Sequence, residues 1–563
     1  TYYGLYTSLP KAGIDLVSPR HESSAAHMAG AYARITGRLG VCMASNGPGV
    51  ANILPGVAVE NAEGNRVLLI TSSRRSGIGY PDRGGTYQYF NQVGVTKPMT
   101  KWSGTAPSRD RIPELLRRAL RISYQGRPGV VHLDVPEDVL NGVADTDDAM
   151  VRPPHTYRRT TRLQPDPALV AEAAQLLRTA DAPLIHAGNG IYHSGAEAEL
   201  AALAEALGAP VTTSWAGRGA IAETAPQAIP MTAIDLVDQV RNDADVVLTI
   251  GSRLGETDWW GKAPNWAAPS RQRHVQVDVD EEILGLNKPV DLAVLGDAQA
   301  TLSALLEALQ GPDGDDRVRP AGRSGRLEAY AERRTKIRTG LDKALADTRN
   351  PMHPAHAAAV AQDVLPEDTI WVFDGGNTTV WANFYHEARV PRSLLSTFKF
   401  GMLGAGVGQA LGAQVAAPDR QVCCIIGDGA FGMHPQEIET AVRNGLPALF
   451  LVLVDRQWGM VKMSQQIAAK PVKTIATKML LNKSLGDDEI IYADFAEIRY
   501  DDLARSMGAY GERVAGPDDL GRAIRRCVET EGPAVIHVDV DRVEHLWAPG
   551  LRTFKKMHQE PGS

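Results

Sequence analysis

Two acidic residues define the chemistry open to this chain. Asp428 sits in Gly427-Asp428-Gly429 after the apolar run Val422 to Ile426, and Asp455 follows a second apolar run, Leu449 to Val454, 27 positions later. Apolar runs of this kind fit buried parallel strands. The stretch between them, from Pro435 to about Asn444, carries Ile438, Ala441 and Val442 on one face and stops at Gly445, which fits a helix. A βαβ unit of this form ends both strands at one sheet edge, where the two aspartates can meet. Two carboxylates with backbone carbonyls suit a hard, oxygen-seeking cation. Magnesium fits best, because it keeps few protein ligands and shares the rest with substrate phosphates. A doubly wound domain with two solvated loop aspartates would read the same way at this level.

The elements that position these residues fill a long chain. With 563 residues it exceeds what one core supports, and three domains are expected. A hydrophobic share of 44%, a charged share of 22% and a net charge of -7 describe an ordinary soluble protein without the basic surplus of nucleic-acid binders. No run is long and apolar enough to span a bilayer and no signal peptide leads the sequence, so neither nucleic acid nor membrane is an expected partner. Cys42, Cys423, Cys424 and Cys527 lie in apolar contexts without metal-ligand spacing, which suits free thiols in a reducing cytoplasm.

Toward the front, Asp15 to His21 reads as a short strand running into a helix of small residues, with Glu22 close to the helix start. Ser45 to Asn52 is a glycine-bounded turn into another helix. In the middle of the chain, four short apolar runs alternate with alanine-rich helices. Gly188 follows the first run, and Arg253 and Asp278 stand at successive strand ends, where they could grip a nucleotide phosphate and a ribose hydroxyl. Toward the back, a strand ends in Asp374-Gly375-Gly376-Asn377-Thr378, and Gly401 to Gly408 opens a helix whose amides and dipole suit an anion. Residues 463–495 read as a long, lid-like loop carrying Gln465 and Gln466. Glu489 and Glu497 are candidate proton acceptors there, or solvated helix charges. Basic and aromatic residues after His545 read as a tail that closes over an anionic substrate or docks on a neighbouring subunit.

Gly-Asp-Gly followed by a strand that ends in a second ligand residue resembles the diphosphate–magnesium signature of thiamine diphosphate enzymes. The departure is Val454-Asp455, where that family usually has Asn-Asn. Arg20-His21-Glu22 followed by Ala25-x-x-Met28-Ala29 likewise resembles the family segment whose glutamate binds the aminopyrimidine ring of thiamine. The resemblance covers nearly the whole chain. It implies an α/β protein of three doubly wound parallel-sheet domains: pyrimidine-binding (1–145), middle (165–310) and diphosphate-binding (350–545), with a tail, 546–563. The first helix and strand usual in the family are missing, so the sequence reads as a fragment.

The same resemblance assigns roles residue by residue. Glu22 shares a proton with the pyrimidine, and Tyr87, Gln88 and Gln465 hold substrate oxygens and relay protons. Magnesium is bound by the side chains of Asp428 and Asp455 and the main-chain carbonyl of Gln457. Pro48, Asn52, Gly376, Asn377, Thr378, Gly401, Met402, Gly427, Gly429, Ala430, Trp458, Gly459 and Met460 contact the cofactor, and Leu403 wedges it into a bent form. In the middle domain the relatives hold FAD or ADP, and Ile229-Pro230-Met231-Thr232 in place of Gly-Met-His-Gly favours ADP. Tyr87 resembles the oxalyl-CoA decarboxylases and 2-hydroxyacyl-CoA lyases, whereas Gln88 resembles the acetolactate synthases. The first expectation is reversible cleavage of a 2-hydroxyacyl-CoA to formyl-CoA and an aldehyde or ketone. The second is pyruvate-decarboxylating acetyl transfer, as in acetolactate or sulfoacetaldehyde enzymes, toward which Trp458 points. A third is a non-catalytic homologue. The substrate is thus an acyl-CoA or a 2-oxo acid, and the assembly a homodimer at least and a homotetramer by the family pattern.

Overall fold

The computed structural model describes the chain except residues 1, 80–83, 143–149, 311–321, 487–488, 552, 554–555 and 557–563. Among the described residues, fifteen strands form three wholly parallel sheets. β1 (Gly40–Ala44), β2 (Val67–Ser73), β3 (Trp102–Thr105) and β4 (Val130–Pro136) pair in the order β1-β2-β4-β3. The middle sheet contains β5 (Pro183–Ala187), β6 (Val211–Thr213), β7 (Val246–Ile250), β8 (Arg273–Asp278) and β9 (Leu292–Leu295), ordered β6-β5-β7-β8-β9. The last contains β10 (Ile370–Asp374), β11 (Leu394–Leu395), β12 (Val422–Gly427), β13 (Leu449–Val454), β14 (Tyr510–Val514) and β15 (Ala534–Asp539), ordered β11-β10-β12-β13-β15-β14. Helices cover both faces, so every residue of β12 and β13 is buried, which is why both read as unbroken apolar runs.

Strand order fixes where ligands can sit. In the last sheet the chain moves from β10 outward to β11 and then returns to the other side of β10 as β12. The crevice at the switch point therefore opens beyond the carboxyl ends of β10 and β12, at Gly375 and Asp428. The middle sheet switches likewise between β5 and β7, at Gly188 and Gly251. There the two loops touch: a Cβ on Gly188 would meet the Gly251 carbonyl oxygen at 2.1 Å, so only glycine fits.

The domains lock together through close approaches and buried polar groups. The helix Glu22–Thr36 packs on the helix Ala405–Ala416 so tightly that a Cβ on Gly412 would lie 2.3 Å from the Met28 carbonyl oxygen. The amides of Arg20 and His21 donate to the buried Glu437 carboxylate at 3.0 and 2.9 Å. The middle and last domains meet at Arg218, which is 1% exposed. Its guanidinium makes a bidentate pair with Glu223 at 2.8 and 2.9 Å and donates to the Asn383 side chain (2.6 Å) and the His386 carbonyl (2.8 Å).

Two expected elements differ. Asp15 to Arg20 forms no strand, because it leans on the last domain instead of a sheet neighbour: Arg443 donates to the Ser18 carbonyl at 2.7 Å, and Val17 packs against the core around β12. Residues 463–481, expected as loop, are helical except at Lys470, which joins the helices Gly459–Ala469 and Pro471–Leu481. Val472, Met479, Leu480 and Leu481 are exposed on the second, so its apolar positions mark no buried stripe from which a helical period could be read. Among the described residues no helix is long and apolar enough to cross a membrane.

Candidate active site

Asp428 follows directly on β12 and begins a single helical turn, Asp428–Phe431, whose backbone it fixes itself. Its Oδ1 accepts from the Gly429 amide and its Oδ2 from the Arg456 amide, each at 2.8 Å, and the Tyr500 hydroxyl donates to its carbonyl at 3.2 Å. Asp428 and Asp455 are 3% and 2% exposed. Burial, and then the facing Asp455 carboxylate, push the Asp428 carboxyl well above the ordinary range. Asp455 Oδ2 accepts from Gln457 Nε2 at 3.0 Å and lies 2.6 Å from His545 Nδ1. The βαβ unit thus brings together two carboxylates that repel one another, an arrangement that favours a divalent cation between them.

The surrounding backbone approaches closely and leaves buried polar groups unpaired. The helix Gly376–Tyr385 starts beside Gly427, with Asn377 and Thr378 buried at its first turn. Neither Asn377 Nδ2 nor Oδ1 has a partner, and Gln457 Oε1 is likewise buried and unpaired. A Cβ on Gly459 would meet Asn377 Nδ2 at 2.9 Å, one on Gly429 the Trp458 ring at 2.6 Å, and one on Gly376 would touch Met460. Buried donors without partners at a helix N-terminus, with oxygen ligands opposite, are what a diphosphate carrying a metal requires. Ala430 is buried in the same turn. Gly401, Met402 and Leu403 precede Gly404, which packs against Met433 and His434 just beyond that turn.

The front residues gather at a second locus. Asn52 Nδ2 donates to Glu22 Oε2 at 3.0 Å, and Pro48 opens the helix that carries Asn52. The preceding turn is fixed by Gln92, whose Oε1 accepts from the Gly47 amide at 2.8 Å, and by the Gln88 carbonyl, which accepts from Asn46 at 3.2 Å. Gln88 has φ 52°, and Tyr87 is 75% exposed. Gln465 exchanges hydrogen bonds with the Ile491 backbone at 2.9 and 3.2 Å. Glu489 is paired with Lys470 and Lys473, and Glu497 with Arg513. Sequence reasoning put His545 at the edge of a mobile tail. It is buried against Asp455, Leu546 and Ala548 are buried as well, and Gly550 lies close against Phe384. The remainder of that tail lies largely outside the described residues.

At the middle-domain switch point a cavity of about 540 Å³ opens, lined by Arg253 and Asp278 and reaching Glu63 and Arg127 of the first domain and Lys399 of the last. Asn189, Gly190 and Gly251 line it, whereas Gly188, expected here from sequence, is not among the lining residues and packs closely against Gly251. Sequence reasoning missed Glu63, Arg127 and Lys399, which come from other domains. Glu63 Oε1 accepts from the amides of Lys399 and Phe400 at 2.7 and 3.1 Å, while its buried Oε2 has no partner. Burial pushes its carboxyl up to about 7, against the opposing pull of those amides and Arg34. A carboxyl raised above its unfolded value near 4.3 destabilises the fold progressively as pH rises from about 4 to about 7. Glu63→Gln keeps the acceptor and removes the charge. Relative to the unsubstituted protein, its stability measured by urea unfolding should gain about 2–3 kcal/mol between pH 4.5 and 7.5, at about 1.4 kcal/mol per pKa unit. An unchanged difference across that range would refute this.

Family models for the thiamine pyrophosphate enzymes match in chain order: the N-terminal TPP binding domain over residues 1–95, the central domain over 170–305 and the C-terminal TPP binding domain over 374–538. The acetolactate synthase large subunit of Parasynechococcus marenigrum is 30% identical over 557 residues, covering 97% of this chain and 84% of that protein. The chain belongs to the thiamine pyrophosphate enzymes. Sulfoacetaldehyde acetyltransferase of Castellaniella defragrans is also 30% identical, over 543 residues, 92% of this chain and 85% of that protein. A probable acetolactate synthase large subunit of Methanococcus aeolicus is 28% identical over 547 residues, 95% and 87% of the two chains. The three parallel-sheet domains of this thiamine pyrophosphate enzyme correspond to the three matched regions, with the cradle of Gly376, Asp428 and Asp455 inside the C-terminal TPP binding domain.

Proposed function

We propose that this thiamine pyrophosphate enzyme decarboxylates a small 2-oxo acid such as pyruvate and transfers the remaining acyl unit to a second small molecule. The observation that carries this reading is similarity along almost the full chain to both acetolactate synthases and a sulfoacetaldehyde acetyltransferase, beside the buried, unpaired side-chain atoms of Asn377 and Gln457. It favours the second of the two reactions expected from sequence over cleavage of a 2-hydroxyacyl-CoA. When bound, thiamine diphosphate supplies a nucleophilic carbon and an electron sink for breaking a bond beside a carbonyl. Asp428, Asp455 and the Gln457 carbonyl would hold Mg²⁺, and Asn377 with the amides of Gly376 and Thr378 would receive the diphosphate. Glu22, oriented by Asn52, holds the proton shared with the pyrimidine ring, and Tyr87 and Gln88 face the substrate. Glu22 and Tyr87 lie on accessible surface of the first domain, which suits completion of the site by a second copy, giving a homodimer or homotetramer.

For the middle cavity we infer an adenine nucleotide, ADP in preference to FAD, with Arg253 and Arg127 toward phosphate and Asp278 toward ribose. Mass spectrometry of the supernatant from denatured protein checks this, and release of FAD would overturn it. The reaction itself is decided by supplying Mg²⁺ and thiamine diphosphate with pyruvate, alone or with sulfoacetaldehyde and phosphate, and separately with a 2-hydroxyacyl-CoA. Carbon dioxide release from pyruvate is expected. Formyl-CoA formation without pyruvate consumption would sink the proposal, and turnover of none of these would favour a non-catalytic homologue.

A further inference from the structure

The second ligand loop is gripped from behind by the short helix Arg542–Leu546, which lies almost 90 residues further along the chain. Arg542 Nε donates to the Asp455 carbonyl at 2.7 Å, and Gln457 Nε2 returns a bond to the Arg542 carbonyl at 2.8 Å. His545 Nδ1 stands 2.6 Å from Asp455 Oδ2, and its Nε2 stands 3.1 Å from the Thr378 hydroxyl at the head of the diphosphate-facing helix. The ring is buried, and its backbone is held by Trp381, whose Nε1 donates to the His545 carbonyl at 3.0 Å. Asp541 caps the helix by accepting from the amides of Val543 and Glu544 at 2.8 and 3.0 Å.

The two oxygens of Asp455 are therefore unequal. Oδ2 takes both Gln457 Nε2 and His545 Nδ1, whereas Oδ1 is met by one long contact, 3.3 Å, from the Gln457 amide. Calcium accepts both oxygens of one carboxylate at flexible geometry, while magnesium demands compact octahedral geometry with one oxygen per ligand. We propose that His545 is a positioning residue that biases which cation this enzyme takes: together with Gln457 Nε2, and at the shorter distance, it occupies Oδ2 and leaves Asp455 a single oxygen to offer, which favours Mg²⁺ over Ca²⁺. This rests on the reading of Asp428 and Asp455 as ligands of a metal–diphosphate. His545 itself touches neither metal nor substrate. Partners of this kind orient a ligand and tune affinity without joining the coordination shell.

The test is calorimetric titration of MgCl₂ and of CaCl₂ into the full-length protein saturated with thiamine diphosphate, which reads binding rather than turnover. In His545→Ala, and in His545→Phe, which keeps a ring in the slot but removes both nitrogens, the ratio of the Ca²⁺ to the Mg²⁺ dissociation constant should fall by about tenfold or more. His545→Asn, which can place an amide donor near the Nδ1 position, should restore the ratio to within about threefold of the unsubstituted protein. Equal weakening of both ions, the result of a purely structural role, would overturn the proposal, as would an unchanged ratio in whichever of the two donor-less variants folds. Should the unsubstituted protein bind neither ion with thiamine diphosphate, the ligand reading itself falls and this inference with it. Normal metal binding there, with no change of preference in the variants, removes this inference alone.

Discussion

Glu22→Gln should lose about 10²–10⁴-fold in turnover while remaining folded. That range is what a positioned proton-transfer group contributes, equivalent to about 3–5 kcal/mol of barrier. The structure separates the two effects. The Glu22 carboxylate accepts a bond from Asn52 Nδ2 at 3.0 Å, which a glutamine carbonyl can also accept. Its position is set by its neighbours, since the Arg20 and His21 amides are anchored on Glu437 whatever side chain follows. Unfolding free energy should therefore stay within about 0.5 kcal/mol, as for partly exposed substitutions away from special features. Steady-state turnover of pyruvate and urea unfolding of the same preparation measure the two quantities, and full activity in the variant would remove Glu22 from the mechanism.

The second large effect is on stability. Arg218→Leu removes five donors from a buried junction, leaving Glu223 without its cation and the carbonyls of Asn383 and His386 without a donor. Breaking a buried pair from one side costs about 3–5 kcal/mol, because the remaining charge stays desolvated. A fall of roughly 10 °C in the melting temperature should follow. Removing both charges should be milder than removing one, so adding Glu223→Gln to Arg218→Leu should recover part of the loss. A fall of under about 2 °C for the single variant would show that the junction carries little of the stability. The clamp also bears on function: Asn383 and His386 lie at the far end of the helix whose first turn holds Asn377 and Thr378.

What the sequence disclosed followed how local the signal was. The unit from Val422 to Val454 could be read because two fully buried strands leave apolar runs and glycine marks the turn between strand and helix. Glu22 could be placed because it lies at the start of a helix of small residues, and those residues are small for a physical reason visible only in three dimensions, the close crossing with Ala405–Ala416. The role of His545 left no trace, since a contact spanning 90 positions has no periodicity to betray it. Glu63 and Lys399 escaped notice for the same reason, being joined only where three domains meet. Tyr87 and Gln88 point opposite ways on the reaction, and it is the similarity to acetolactate synthases and a sulfoacetaldehyde acetyltransferase, spread along the chain, that supports the reading proposed above.

The glycine at 412 carries a further implication. Where Met28 and Gly412 meet, two lobes mesh like gears cut without backlash, and one methyl group would act as a shim between them. Alignment of the N-terminal with the C-terminal TPP binding domain within the chain is thus inherited through the absence of a side chain, and a drift to alanine there would change the spacing of the lobes before it changed any reacting group.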